Sequence, residues 1–206
     1  PYIKEYLLID TIEIRSVEKK ASYSEYLEAL EGEHGTVTAN NYYTRIEAES
    51  ATTKSSPTLY AITDRSSPAT TPFSITKTYL NSIGGDNWKV LGDWIAWDFE
   101  VPEDGYYEIS MRAKQNLVRG MFASRSVSIA TLQADGTYSE YQPLFDEMNN
   151  LQIAYNSQWK NITLGDDTPY MFYFEKGVTY SLKMEVTLGD YAPLIARLQE
   201  LIDELS

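Results

Sequence analysis

The sequence predicts a mainly β protein, an antiparallel β-sandwich with a short N-terminal helix and a C-terminal amphipathic helix. Three observations support this prediction. Apolar and polar residues alternate along several short segments, most clearly over 178–188, where six apolar positions are spaced by two. Turn residues separate these segments, and no helical pattern lies between them. Aromatic residues make up 13% of the chain, with 17 tyrosines, which is typical of sheet proteins.

The N-terminal part is expected to be an arm followed by a short helix. Residues 6–9 form an apolar run that indicates a strand or an extended arm. Residues 22–31 have helical spacing of apolar side chains. Ser22 and Glu25 have the spacing of a capping box, in which each side chain binds a free backbone N–H. Gly32 is expected to end this helix.

The middle of the chain carries the predicted strands, which lie at 43–49, 93–101, 106–113, 126–132, 170–174 and 178–188. The turn sequence at 102–105 predicts that the second and third of these form a hairpin. Residues 50–87 and 134–169 are expected to be loops, the former with small strands.

The C-terminal residues change to a helical period. One stripe collects the apolar residues Leu194, Ile195, Leu198, Leu201, Ile202 and Leu205. Asp190 is expected to cap this helix, and Pro193 lies in its first turn. We therefore divide the chain into an arm and helix at 1–41, a sandwich at 42–190 and a helix at 191–206. The last helix either packs on the sandwich or another chain, or leads into a further domain.

Charge and composition exclude or disfavour several kinds of partner and site. The formal net charge is -13, which disfavours nucleic acid and anionic membrane surfaces as partners. The chain has no cysteine, so a disulfide framework and a zinc-thiolate site are excluded. No stretch reaches the length of a transmembrane helix. A chain that starts at Pro1 without a signal peptide is expected to be a processed protein or a fragment of a larger one.

Catalytic motifs are missing from the sequence. The chain has a single histidine, His34, and no nucleophile-elbow motif accompanies it. The sequence also has no HExxH or Walker A pattern. Carboxylates are plentiful, so glycoside hydrolysis stays open on residue types alone. Most of them fall in turns or on outward strand faces, however, which favours a protein that is not an enzyme.

Two carboxylates are candidates for a metal site. Glu47 and Glu49 are two residues apart on a predicted strand, so their side chains should project together. Calcium takes oxygen ligands of this kind. The alternative is that this is simply a solvated strand face.

Tryptophans and a basic run are candidates for a ligand site. Trp88 follows a polar loop and is expected either to stack on a sugar ring or to cap the core beneath the loop. Trp159 also lies in a polar context. Residues 112–119 include Asn116 and Arg119, which could donate hydrogen bonds to hydroxyls or carboxylates, or could form a solvated loop.

Several motifs together resemble the galactose-binding-like jelly roll of family 6 and family 35 carbohydrate-binding modules. They are Glu-Ala-Glu at 47–49, Gly-Asp-Trp-Ile at 92–95, the turn at 101–107 and the strand into Met-Arg-Ala at 111–113. The segment 94–190 also resembles a sandwich segment of some bacterial extracellular solute-binding proteins of sugar ABC transporters. The chain departs from these modules in its insertion at 134–169, its two helices and its missing final aspartate motif.

The resemblance implies a non-catalytic module that binds carbohydrate at loops on one edge of the sandwich. Carried over to this chain, it implies a sugar site that includes Trp88 and Asn116. We add Trp159 from its polar context and Arg119 from the basic run, and Glu47 and Glu49 are the expected ligands of a structural calcium ion. The implied setting is a bacterial extracellular or cell-surface protein with other domains, linked to sugar uptake. The alternatives are a structural or interaction domain without sugar affinity, and a glycoside-active enzyme.

Overall fold

The structure, a computed structural model, describes residues 19–38 and 41–205. The apolar run predicted as a strand or arm at 6–9 lies outside them. The helices are α1 Tyr23–His34 and α2 Ala192–Glu204. The strands are β1 Thr53–Lys54, β2 Ala61–Ile62, β3 Ser82–Ile83, β4 Trp94–Phe99, β5 Gly105–Glu108, β6 Ser110–Ala113, β7 Phe122–Thr131, β8 Leu151–Ala154, β9 Lys160–Thr163, β10 Met171–Phe174 and β11 Tyr180–Val186.

The main layer is a five-stranded antiparallel sheet with the strand order β1-β4-β11-β7-β8. Its centre is the strongly alternating β11, in which Leu182 pairs with Trp97 of β4 on one side and Ile129 of β7 on the other. All three side chains are buried. The period of two in the sequence therefore marks the inward face of this sheet correctly.

The second layer is formed by β5 and β6 with β10 and β9. β5 pairs with β10 and β6 pairs with β9, both antiparallel. Ile109, between β5 and β6, accepts a hydrogen bond from the backbone N–H of Leu164 at 3.0 Å. Residues 165–170 thus form a loop inserted between β9 and β10. The predicted hairpin of β4 and β5 is wrong, because the turn at 102–105 carries the chain from one layer to the other.

Aromatic side chains join the two layers. The ring of Phe174 lies 5.1 Å from that of Phe99 and 4.7 Å from that of Tyr180, measured between centroids. Phe145 and Phe172 are fully buried between the layers. The predicted mainly β, antiparallel sandwich is confirmed, and the division of the chain at residues 41 and 190 stays a prediction.

Helix α1 packs on the sandwich through its first turns. Ser22 and Glu25 form the predicted capping box, with the Ser22 N–H donating to Glu25 at 2.8 Å. The rings of Tyr23 and Tyr26 each lie 5.0 Å from that of Phe145. The predicted stop at Gly32 is wrong. The helix continues to His34 and ends at Gly35, whose φ of +83° suits a residue without a Cβ.

Helix α2 projects from the sandwich with its apolar stripe uncovered. Tyr191, just before it, stacks on Phe122 with ring centroids 4.7 Å apart and anchors its start. Asp190 does not cap the helix as expected, because its carboxylate accepts a hydrogen bond from Asn150 at 2.7 Å. Pro193 lies in the first turn, as predicted. Of the alternatives for this helix, packing of the stripe on the sandwich is wrong, since no residue of α2 is buried. Within the described residues, no helix is long and apolar enough to cross a membrane.

Candidate functional site

A cavity of about 1840 Å³ opens between the two layers. Its inner wall is formed by core residues of both sheets, including Trp97, Leu182 and Met111. Its mouth is bordered by the segments 42–49 and 112–118. Small-ligand sites usually measure about 300–1,000 Å³ and have a largely apolar wall with a few polar groups, so a small ligand would occupy only part of this cavity.

The cavity collects most of the predicted site residues. Trp88, Asn116, Trp159, Glu47 and Glu49 all line it, although they are spread over more than a hundred positions. Arg119 is not part of the lining, and its guanidinium lies 6.0 Å from the ring of Tyr155. Asn116 is exposed at the mouth.

Trp88 has a packing role in this structure. Its indole N–H donates to the backbone oxygen of Asp93 at 3.1 Å, and its ring meets that of Trp97 edge-on at 6.5 Å. The guanidinium of Arg125 lies 4.3 Å from the ring centroid. A Cβ at Gly84 would come within 3.1 Å of the indole. A sugar could stack on the ring only by displacing one of these groups.

Arg125 is an unusual basic residue in the cavity wall. Its two terminal nitrogens donate to the backbone oxygens of Ser124 and Trp88, at 2.8 and 3.0 Å. Its Nε is buried and has no hydrogen-bond partner within the described residues. Burial lowers the pKa of Arg125 to about 10, so the side chain still carries its charge at neutral pH.

Trp159 lies in a polar corner of the same cavity. Its ring is half-buried, and its indole N–H is buried without a hydrogen-bond partner among residues 19–38 and 41–205. The Nζ of Lys114 lies 5.1 Å from the ring centroid, in cation–π geometry. An unsatisfied buried donor costs about 1–3 kcal/mol, which an acceptor from a ligand or water would offset.

Lys114 is held beside Trp159 by an ion pair. Its Nζ lies 2.6 Å from Oδ2 of Asp64 and donates to the hydroxyl of Ser66 at 3.0 Å. Burial raises the pKa of Asp64, but the bonds from Lys114 and Ser66 outweigh it and lower this pKa to about 2. Asp64 is therefore an ionised anchor for Lys114 at neutral pH rather than a proton donor.

Part of this corner has little or no signal in the sequence. Lys114 stands out only as one member of a basic run, although its spacing of two from Arg112 indicates a shared strand face. Asp64 has no signal, because it lies in a segment rich in Ser, Thr and Pro and meets Lys114 only through the fold. Tyr43, which is 74% exposed and lines the mouth, falls in a segment predicted as a strand.

The strand predicted at 43–49 is wrong, and with it the geometry proposed for calcium. Residues Ala48–Ser50 form a 3₁₀ turn that begins after Glu47. The carboxylate of Glu47 pairs with Arg45 at 2.8 Å. The described residues contain no group of three or more acidic, histidine or cysteine side chains arranged to hold a metal. Calcium binding at Glu47 and Glu49 stays a prediction.

Comparison with known proteins gives a limited result. No family model matches the chain, and no curated protein matches it. Among solved structures, it is similar to a Paenibacillus sp. cycloisomaltooligosaccharide glucanotransferase complexed with cycloisomaltoheptaose, with a TM-score of 0.41 and 21% identity. The match covers 81% of this chain and 21% of that chain. A similarity at this level carries no argument about function.

Proposed function

We propose that this protein is a non-catalytic carbohydrate-binding β-sandwich of a bacterial extracellular or cell-surface protein, and that sugar binds in the cavity between its layers. The observation that carries the proposal is Trp159, an indole in the cavity wall whose N–H has no partner within the described part of the chain. Because the nitrogen itself has almost no solvent-accessible area, a sugar hydroxyl would accept this hydrogen bond after a small rotation of the indole ring towards the cavity.

The cavity that Trp159 lines contains several groups that suit a sugar. A pyranose presents an apolar C–H face together with hydroxyls that donate and accept hydrogen bonds. Lys114 supplies a fixed cation, and Asn161 and Asn116 supply amides that both donate and accept. The exposed ring of Tyr43 at the mouth offers an aromatic face for stacking.

The ion pairs of two cavity carboxylates, Asp64 and Glu47, support a binding role over a hydrolytic one for these two residues. A glycoside hydrolase needs one carboxyl group that is protonated at working pH beside a second that is ionised. Asp64 is held ionised by Lys114, and Glu47 is paired with Arg45. These pairings suit side chains with a positioning role.

A structural or interaction domain is the second candidate, and two observations favour it. Trp88 has its N–H and one face already occupied, so it is not a free platform. Helix α2 presents an uncovered apolar stripe, which is typical of a surface that contacts another protein. Under this hypothesis the domain joins or orients the parts of a larger surface or solute-binding protein.

A titration of the protein with a panel of oligosaccharides separates the two candidates. The matched variants are Trp159→Phe and Trp94→Phe. Trp94 is also half-buried with a lysine, Lys183, 5.8 Å from its ring, but it lies off the cavity. We expect Trp159→Phe to weaken the binding of any glycan that the parent binds by roughly 10-fold, for one lost hydrogen bond, and Trp94→Phe to leave it unchanged.

Two outcomes would count against the carbohydrate hypothesis. If no member of a broad panel binds the parent protein, the structural candidate is favoured. If a glycan binds and both variants bind it as well as the parent does, the sugar site lies away from Trp159.

A further inference from the structure

Helix α2, together with Leu205 directly after it, carries a heptad pattern as well as an apolar stripe. Leu194, Leu198, Leu201 and Leu205 are separated by four, three and four residues, which places leucine at successive d, a, d and a positions. Ile195 and Ile202 flank them at e positions. These six side chains are between 39% and 87% exposed. A surface of this kind needs a partner, since a helix of 13 residues is marginal in water.

We propose that α2 pairs with α2 of a second copy of this chain in an antiparallel two-helix coiled coil. The two-fold axis of such a pair crosses the seam midway between Leu198 and Leu201. Each Leu198 then meets the partner's Leu201, and each Leu194 meets the partner's Leu205. The interface is isologous, so both copies use the same patch and the assembly closes at two.

Charge complementarity selects the second copy and its direction. Arg197 and Glu204 occupy the two g positions of the helix. In an antiparallel pair, g positions face g positions, so each Arg197 lies opposite the partner's Glu204. The e positions face each other as well, which brings Ile195 onto the partner's Ile202 and widens the apolar seam. In a parallel pair, Arg197 would face the partner's Ile202, and no ion pair would form.

Little of the surface of α2 is covered by the rest of the described molecule. Within the described residues, α2 has no buried position, and the ring of Tyr191 on Phe122 fixes only its start. Both side chains of the Arg197–Glu200 ion pair, 2.8 Å apart, are exposed. Breaking this pair so that Arg197 can bind the partner's Glu204 therefore costs little free energy. Opposed helix dipoles also favour the antiparallel arrangement.

The first experiment measures association by sedimentation equilibrium up to about 1 mM protein, because a seam of four leucine layers gives a weak dimer. We expect a monomer–dimer equilibrium for the parent chain. Leu198→Ala removes two seam leucines per dimer and should weaken association by about 100-fold. Far-UV circular dichroism checks that the sandwich remains folded, which is expected because the side chain of Leu198 is largely exposed.

Charge exchange and cross-linking test the direction. Glu204→Arg should weaken the dimer, and the double change Arg197→Glu with Glu204→Arg should restore it. The control is Asp203→Arg, off the seam, whose carboxylate contacts Gln199 and not Arg197. Because the chain has no cysteine, Leu198→Cys and Leu201→Cys can be introduced singly. Mixed under oxidising conditions, they should form the mixed disulfide in preference to either homodimer.

Three results would overturn the proposal. One is a chain that stays monomeric at the highest concentration. Another is a dimer that is insensitive to Leu198→Ala, which would place the interface elsewhere. The third is a preference for the Leu198→Cys and Leu201→Cys homodimers over the mixed disulfide, which would indicate parallel pairing.

Discussion

The ion pair of Asp64 and Lys114 connects the stability of the protein to the shape of the candidate site. The change that tests it is Asp64→Asn, which keeps the size of the side chain and removes its charge. Both partners are largely buried, at 18% and 14% side-chain exposure. Removing the carboxylate therefore leaves the ammonium of Lys114 without its counter-ion beside Trp159.

The size of the destabilisation expected for Asp64→Asn follows from the pKa of Asp64. Its fall from an ordinary 3.8 to about 2 is equivalent to about 2 kcal/mol in favour of the folded state as an upper bound. Water still reaches part of the pair and screens it, so we expect a loss of about 1–2 kcal/mol for Asp64→Asn at pH 7. For a chain of this size, each kcal/mol lowers Tm by roughly 2–4 °C.

The sign of the pH dependence is fixed by the direction of the shift. A carboxyl group whose pKa is lowered on folding stabilises the protein fully above its unfolded pKa, here 3.8, and loses this contribution as the pH falls towards 2. The difference between the parent and Asp64→Asn should therefore be constant from pH 7 to about 5 and shrink below about 4.

Denaturant unfolding of both proteins across this range is the assay. The control is Glu103→Gln, which breaks the exposed Glu103–Lys176 pair at 2.9 Å and should have a smaller effect. The reasoning is refuted if Asp64→Asn destabilises the protein no more than Glu103→Gln does, or if its effect does not change below pH 4.

Two further predictions concern the turn at Gly189 and the binding of calcium at Glu47 and Glu49. Gly189→Ala should destabilise the protein by about 2 kcal/mol or more in urea unfolding, because a Cβ would lie 2.5 Å from the Ser124 hydroxyl at a φ of +50°; a loss under 0.5 kcal/mol would show that the loop yields. If Glu47 and Glu49 bind calcium, excess calcium should raise the Tm of the parent and not that of the double Gln variant. An unchanged Tm in the parent would remove the calcium hypothesis.

The sequence predicts those parts of the fold whose periodicity is set by burial. In β4 and β11, every second side chain faces the core, so the alternation alone assigns Ile95, Trp97, Leu182 and Met184 to the inward face. Strands β8 and β9 escape such a prediction because each has four residues and carries polar side chains such as Gln152 and Asn161, which interrupt the apolar pattern.

The error at 43–49 has a different cause. The alternation there is real, but the segment is held by a tertiary contact rather than by a strand partner. The indole N–H of Trp97 donates to the backbone oxygen of Ala48 at 2.8 Å, where the chain turns. The candidate site is also predictable only in part, because tertiary contacts bring its residues together. Trp159 can be found from its polar context, whereas Asp64 reaches Lys114 across fifty residues of sequence.

The indole N–H signals of the four tryptophans provide the most direct test of carbohydrate binding in the cavity. They can be assigned in a ¹⁵N correlation spectrum by single Trp→Phe changes and followed while glycans are added. We predict that a glycan that binds moves the signal of Trp159, whose N–H has no partner in the described structure, and leaves that of Trp94 in place. A spectrum in which no glycan moves the Trp159 signal, or in which only Trp94 responds, would contradict the proposed function.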